Sequence, residues 1–176
     1  MAKVLLIKLI RRCINNIRSG KKWRKREKRG SDLLNGGFNN TLDEKGRLSF
    51  PSALKEKLSG SSLVITRGID GCLWAFPPQL WLPFATKLEQ SSPMLKDARR
   101  LQRHFLGWAS EAEIDKSSRL SIPQSLRTYA GLVKDCVVIG VGQRIEIWDA
   151  ATYEKVNGGE DGVDIADSAE QFAEIF

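Results

Sequence analysis

Histidine is nearly absent from this 176-residue chain, so a histidine-based serine or cysteine triad, or a multi-histidine metal site, would have to use His104 alone, and its neighbours do not support one. Cysteine is scarce too. Cys13, Cys72 and Cys136 are odd in number and lack the short paired spacing of zinc or redox sites, which fits a reducing cytoplasm. Cys72 and Cys136 lie in apolar runs, where cysteine serves as a small buried hydrophobe. The chain carries no phosphate-binding glycine loop and no metal-ligand cluster, so no cofactor is expected and an enzyme is not. Long apolar runs are missing as well. The stretch from Val4 to Ile10 is broken by Lys8, followed by Arg11-Arg12 and lacks a small-residue cleavage site, which argues against a secretory signal. It is also too short to span a bilayer.

Charge of one sign is missing from each end. Residues 1–30 hold twelve Lys or Arg against Glu27 alone, a net of +11, whereas residues 157–176 hold six acids and no base, a net of −6. Taking both from the formal total of +7 leaves +2 for residues 31–156, so the middle of the chain is close to neutral.

In the basic segment, Leu6, Leu9, Ile10, Cys13, Ile14 and Ile17 recur at intervals of three and four, with Lys8, Arg11, Arg12 and Arg18 off that stripe. This spacing predicts an amphipathic basic helix. Lys21 to Arg29, with Trp23 among seven bases, suits a phosphate backbone or an anionic lipid surface, and equally a solvated arm with no partner.

The neutral middle says one thing twice. Leu42-Asp43-Glu44-Lys45-Gly46-Arg47-Leu48-Ser49-Phe50-Pro51 returns seventy-two positions later as Ile114-Asp115-Lys116-Ser117-Ser118-Arg119-Leu120-Ser121-Ile122-Pro123. In the first copy, Gly37 to Leu42 and Arg47 to Phe50 are expected as strands of a hairpin. Asp43 would bond the turn's own amides, and Gly46 would supply its positive φ. A short helix from Pro51 to Leu58, a strand from Leu63 to Thr66, a turn over Gly68 to Gly71 and a strand from Cys72 to Phe76 follow. The second copy repeats the order: Ala109 to Ile114, Arg119 to Ile122, a helix from Pro123 ended by Gly131, Val137 to Ile139, a turn at Gly140 to Gln143, and Arg144 to Trp148. A unit of about fifty residues buries little apolar surface alone, so the copies are expected to share one core or one interlocked sheet. Between them, Pro78 to Leu88 and Met94 to Phe105 read as helices, the second with an apolar face of Leu95, Ala98, Leu101 and Phe105 and with Arg99, Arg100 and Arg103 as solvated or ion-paired surface. Asp149 is expected to cap a last helix ending near Val156, before a flexible acidic tail.

Two Asp-x-x-x-Arg turns, each followed by apolar-Ser-apolar-Pro, resemble the MraZ family of bacterial transcriptional regulators. Further matching stretches are Arg99-Arg100-Leu101-Gln102-Arg103, Leu106 to Glu111 and Ile145-Glu146-Ile147-Trp148-Asp149. The resemblance covers about Leu33 to Val156 and implies an α+β, β-rich fold: two tandem AbrB-like (SpoVT-AbrB) swapped-hairpin units with short helices. The implied organisation is a basic extension at 1–32, SpoVT-AbrB units at 36–83 and 108–151, linker helices at 84–107 and an acidic tail at 157–176. It further implies a cytoplasmic, nucleoid-associated repressor that assembles into a ring of subunits. Such a protein binds short direct repeats in double-stranded DNA upstream of the division and cell-wall gene cluster, its own promoter included. Carried over, Asp43, Arg47, Asp115 and Arg119 are the motif residues. Family members begin about where Leu33 stands, so residues 1–32 are an extension or a misassigned start. Ser118 stands where the first copy has Gly46, which leaves that turn's type and its DNA contact open.

Lys45, Arg47, Lys116 and Arg119 are therefore the candidate DNA-binding residues, with Asp43, Gly46 and Asp115 structuring the turns. Arginine can bridge a base edge with two hydrogen bonds, while lysine meets phosphate as a point charge. An Asp43–Arg47 pair that merely holds the turn shut is the competing account of those two residues. A second class of function is a swapped-hairpin protein-interaction module or antitoxin-like protein, with the basic arm of residues 1–30 on membrane or RNA.

Overall fold

Strands in this chain pair across the two sequence copies more than within them. The computed structural model describes residues 33–158, and the expected basic helix and acidic tail lie outside the described residues. Eight strands run in order: β1 (Leu34–Thr41), β2 (Arg47–Ser49), β3 (Ser62–Arg67), β4 (Leu73–Phe76), β5 (Ser110–Glu113), β6 (Arg119–Ser121), β7 (Asp135–Gly142) and β8 (Arg144–Asp149). Five helices join them: α1 (Ser52–Lys55), α2 (Pro78–Gln90), α3 (Lys96–Phe105), α4 (Gln124–Tyr129) and α5 (Ala150–Asn157).

The main sheet has the order β1-β7-β8-β4-β3-β5, all antiparallel, and β2 pairs with β6 in a separate two-stranded ladder. Exchanging each strand for its repeat reverses the order onto itself, so the two copies are related by an approximate two-fold axis. The β3–β4 and β7–β8 hairpins are local. The expected hairpin of Gly37–Leu42 with Arg47–Phe50 is not. Strand β1 crosses to β7 of the other copy, β5 crosses to β3, and within the first copy only the Leu42–Leu48 bridge remains. The cause is burial: a fifty-residue unit cannot enclose its own apolar surface, whereas exchanged arms close a core twice the size.

That core is shared. Leu42, Leu48, Leu54, Leu63, Ile65 and Leu73 of the first copy pack in one cluster with Ile114, Leu120, Leu126, Val138, Ile145 and Ile147 of the second. Leu48 and Leu120 face each other in register at the β2–β6 crossing, both at 0% exposure. A smaller cluster of Val64, Phe76, Trp81 and Ala85, with Trp74 and Phe84 against it, includes residues of α2. Thr66 Oγ1 donates to the Phe105 carbonyl at 2.6 Å, anchoring the end of α3 to β3.

Several sequence readings shift in detail. Helix α1 is a single turn, continued by tighter bonds from the Lys57 and Leu58 amides to the Leu54 and Lys55 carbonyls. Helix α3 starts two residues later than Met94, and its apolar face is only partly covered: Phe105 is buried while Leu95 and Leu101 are exposed. The turn placed at Gly140 to Gln143 begins inside β7, which runs on to Gly142. Gly140 instead lets two backbones approach, since a Cβ there would lie 2.5 Å from the Asn35 nitrogen in β1. Asp149 does cap α5, accepting from the Thr152 amide at 3.1 Å.

Candidate nucleic-acid interface

The short β2–β6 ladder brings the two repeated turns side by side. Each turn passes its carbonyl to the other copy: the Phe50 amide donates to the Ser118 carbonyl at 2.8 Å, and the Ile122 amide donates to the Gly46 carbonyl at 3.0 Å. Asp43 to Arg47 and Asp115 to Arg119 thus form neighbouring tips.

Within the first tip, Asp43 Oδ1 accepts from the Lys45 amide at 3.0 Å and the Arg47 amide at 2.9 Å, and Gly46 takes φ +75°. These bonds define an Asp-led turn closed by a left-handed residue. The second tip has the same shape. Asp115 Oδ1 accepts from the Arg119 amide at 2.9 Å, and Ser118 takes φ +56°, the one non-glycine with positive φ among the described residues. The substitution of serine for glycine therefore leaves the turn type unchanged. Lys55 of α1 donates to Ser118 Oγ at 2.9 Å and helps hold that conformation.

Beyond their shared backbone, the tips differ. Asp43 Oδ2 accepts from Arg47 Nε at 2.8 Å and lies 2.7 Å from Arg47 Nη2, while Arg119 Nη1 reaches it across the copies at 3.2 Å. One carboxylate thus meets two guanidinium groups. The Arg47 hydrogen bond, ahead of every other cause, holds the Asp43 carboxyl below its ordinary value of 3.8. Among the described residues, the Asp115 side chain makes no ion pair and neither Lys45 nor Lys116 pairs with an acid; all three are exposed.

All seven residues singled out by sequence therefore gather beside the β2–β6 ladder, and the Asp43–Arg47 pairing is present. Two further cations escaped the sequence reading. Arg127 of α4 sits against the first tip, so close that a Cβ on Gly46 would come within 2.5 Å of its Cζ, and Lys55 sits against the second. They are seventy-two positions apart, the offset of the repeat, which was the signal available. Among the described residues, no group of His, Cys, Asp or Glu is placed to hold a metal ion, and no helix is long and apolar enough to cross a membrane.

A family model described as "MraZ protein, putative antitoxin-like" matches residues 33–104 and again 105–162. The chain belongs to the MraZ family. It is 43% identical over 143 residues to a protein named Transcriptional regulator MraZ from Treponema denticola, covering 81% of this chain and 99% of that one. Its namesake from Ligilactobacillus salivarius is 46% identical over 122 residues, covering 69% and 85%. A third MraZ, from Lachnoclostridium phytofermentans, is 40% identical over 144 residues, covering 82% and 100%. The first matched segment ends at His104 and the second begins at Phe105, so each holds one tip.

Proposed function

We propose that this chain is a DNA-binding transcriptional regulator that presents the paired tips to the double helix. The observation that carries this reading is the gathering of Lys45, Arg47, Lys116 and Arg119, with Lys55 and Arg127 behind them, on two adjoining turns of an otherwise nearly neutral body. A hairpin tip lets lysine and arginine reach phosphates and base edges without burying the chain. The names of the MraZ relatives agree with this role. In finer detail, the protein is a cytoplasmic, nucleoid-associated repressor of the division and cell-wall gene cluster and of its own promoter. The reading units are residues 36–83 and 108–151, and no catalytic activity is assigned to them.

A homo-oligomer, in ring form, supplies the affinity. Each subunit offers few cations, so it binds weakly, and identical tips on spaced direct repeats gain avidity of about a hundred-fold or more through effective concentration alone. The exposed apolar side chains Met94, Leu95 and Leu101 around α3, with Ile69 nearby, support a contact between subunits. The test is a gel shift on the DNA directly upstream of this coding sequence. Combined Arg47→Ala and Arg119→Ala should abolish the retarded band at concentrations where the wild type is fully bound; equal binding by the variant overturns the reading.

A further inference from the structure

Resting on the DNA-binding reading above, we infer that Asp43 is a specificity-setting residue: its carboxylate occupies both tip arginines, so that neither serves as a free cation for arbitrary phosphates. The geometry is unequal between the copies. Asp43 Oδ2 takes the Nε and Nη2 side of Arg47, and Nη1 of Arg119 from the opposite tip. Among the described residues, the corresponding Asp115 carboxylate takes neither guanidinium and holds only the Arg119 backbone amide. One acid therefore restrains the arginines of both reading turns.

The consequence differs for phosphate and for base edges. A phosphate approaching Arg47 competes with a carboxylate already held at 2.7 Å, so that contact gains little over the existing pair. A base edge read end-on by Arg47 uses Nη1 and the outer hydrogen of Nη2, which the Asp43 contact leaves uncommitted and points in a fixed direction; Arg119, whose Nη1 is taken, keeps its Nε and Nη2 side. Charge arithmetic agrees. The two turns hold Lys45, Arg47, Lys116 and Arg119 against Asp43, Glu44 and Asp115, four minus three, a net of +1. Neutralising Asp43 alone would double it to +2. Removing Glu44 or Asp115 would change the net by as much, but of the three acids only Asp43 pairs with the tip arginines among the described residues.

Asp43→Asn tests the inference, because the amide oxygen still accepts the Lys45 and Arg47 amides while the charge is gone. The full chain is titrated by fluorescence anisotropy against two duplexes, the DNA upstream of its own coding sequence and a scrambled duplex of equal composition, over a range of salt. The expected result is about tenfold tighter binding of the scrambled duplex, a salt slope steeper by about one unit, and a smaller ratio of upstream to scrambled affinity. Asp43→Ser, which can also lead such a turn, should do the same if the asparagine variant fails to fold. If the wild type discriminates and the folded variants keep its ratio and slope, the inference about Asp43 falls and the DNA-binding reading stands. If neither duplex is bound by any of these proteins, both fall.

Discussion

Arg119 of the second tip donates Nη1 to Asp43 of the first across 3.2 Å, a contact between residues 76 positions apart that joins the two turns. Such a half-exposed contact is screened by water and adds little to folding. On the proposed reading, its arginine meets the duplex. Arg119→Ala should leave the thermal midpoint close to that of the wild type. It should also weaken binding of the upstream duplex while changing the dependence of log affinity on log salt by less than about one unit, since Asp43 already holds this guanidinium. Circular dichroism melts and salt-series titrations check the two halves separately.

Stability depends on the crossing beneath the tips. Leu48 and Leu120 are fully buried and paired in register, so truncating either opens a cavity at the junction of the two copies. Leu120→Ala should cost about 2–5 kcal/mol in denaturant unfolding. A cost below 1 kcal/mol would mean that the shared core is not what holds the copies together.

The buried thiols supply a pH test. Burial, the largest cause in each case, pushes Cys72 up to about 12 and Cys136 up to about 11 from 9.0. Both are then neutral thiols at pH 8 in the native protein. In a Cys13→Ser background, a thiol reagent at pH 8 should label neither quickly and both after unfolding. The linkage sign follows: above pH 9 the unfolded chain loses these protons while the native protein keeps them, so stability falls as pH rises from about 9 toward 11–12. Denaturant midpoints measured between pH 8 and 11 check this.

Assembly is tested on α3. Leu95 and Leu101 are 63% and 46% exposed, and replacing both with glutamate should lower the mass found by light scattering. It should also reduce affinity for repeated DNA by about a hundred-fold with the tips intact. Unchanged mass would place the subunit contact elsewhere.

Much of this arrangement was readable from residue spacing. Asp43 and Asp115 announced their turns, because an aspartate four residues before an arginine can hold the turn's amides: Asp43 holds those of Lys45 and Arg47, and Asp115 that of Arg119. Asp149 announced a helix in the same way. Pairing partners were not readable. Local alternation says that Gly37 to Thr41 is extended but not that Asn39 lies opposite Val137, since an exchanged arm and a local hairpin present identical sequence patterns. Gly140 misled for a similar reason: a glycine that accommodates a neighbouring strand resembles one that makes a turn. The reach of Arg119 to Asp43 depends on that exchanged topology and could not precede it.

Photo-crosslinking tests the central claim most directly. Benzoylphenylalanine is placed at Lys45, at Lys116 or, at the end of β7 away from Asp135, at exposed Val141, and each protein is irradiated on the duplex upstream of its own coding sequence. Covalent DNA adducts are expected from positions 45 and 116 and not from 141. Bound DNA that crosslinks to neither tip would contradict the account.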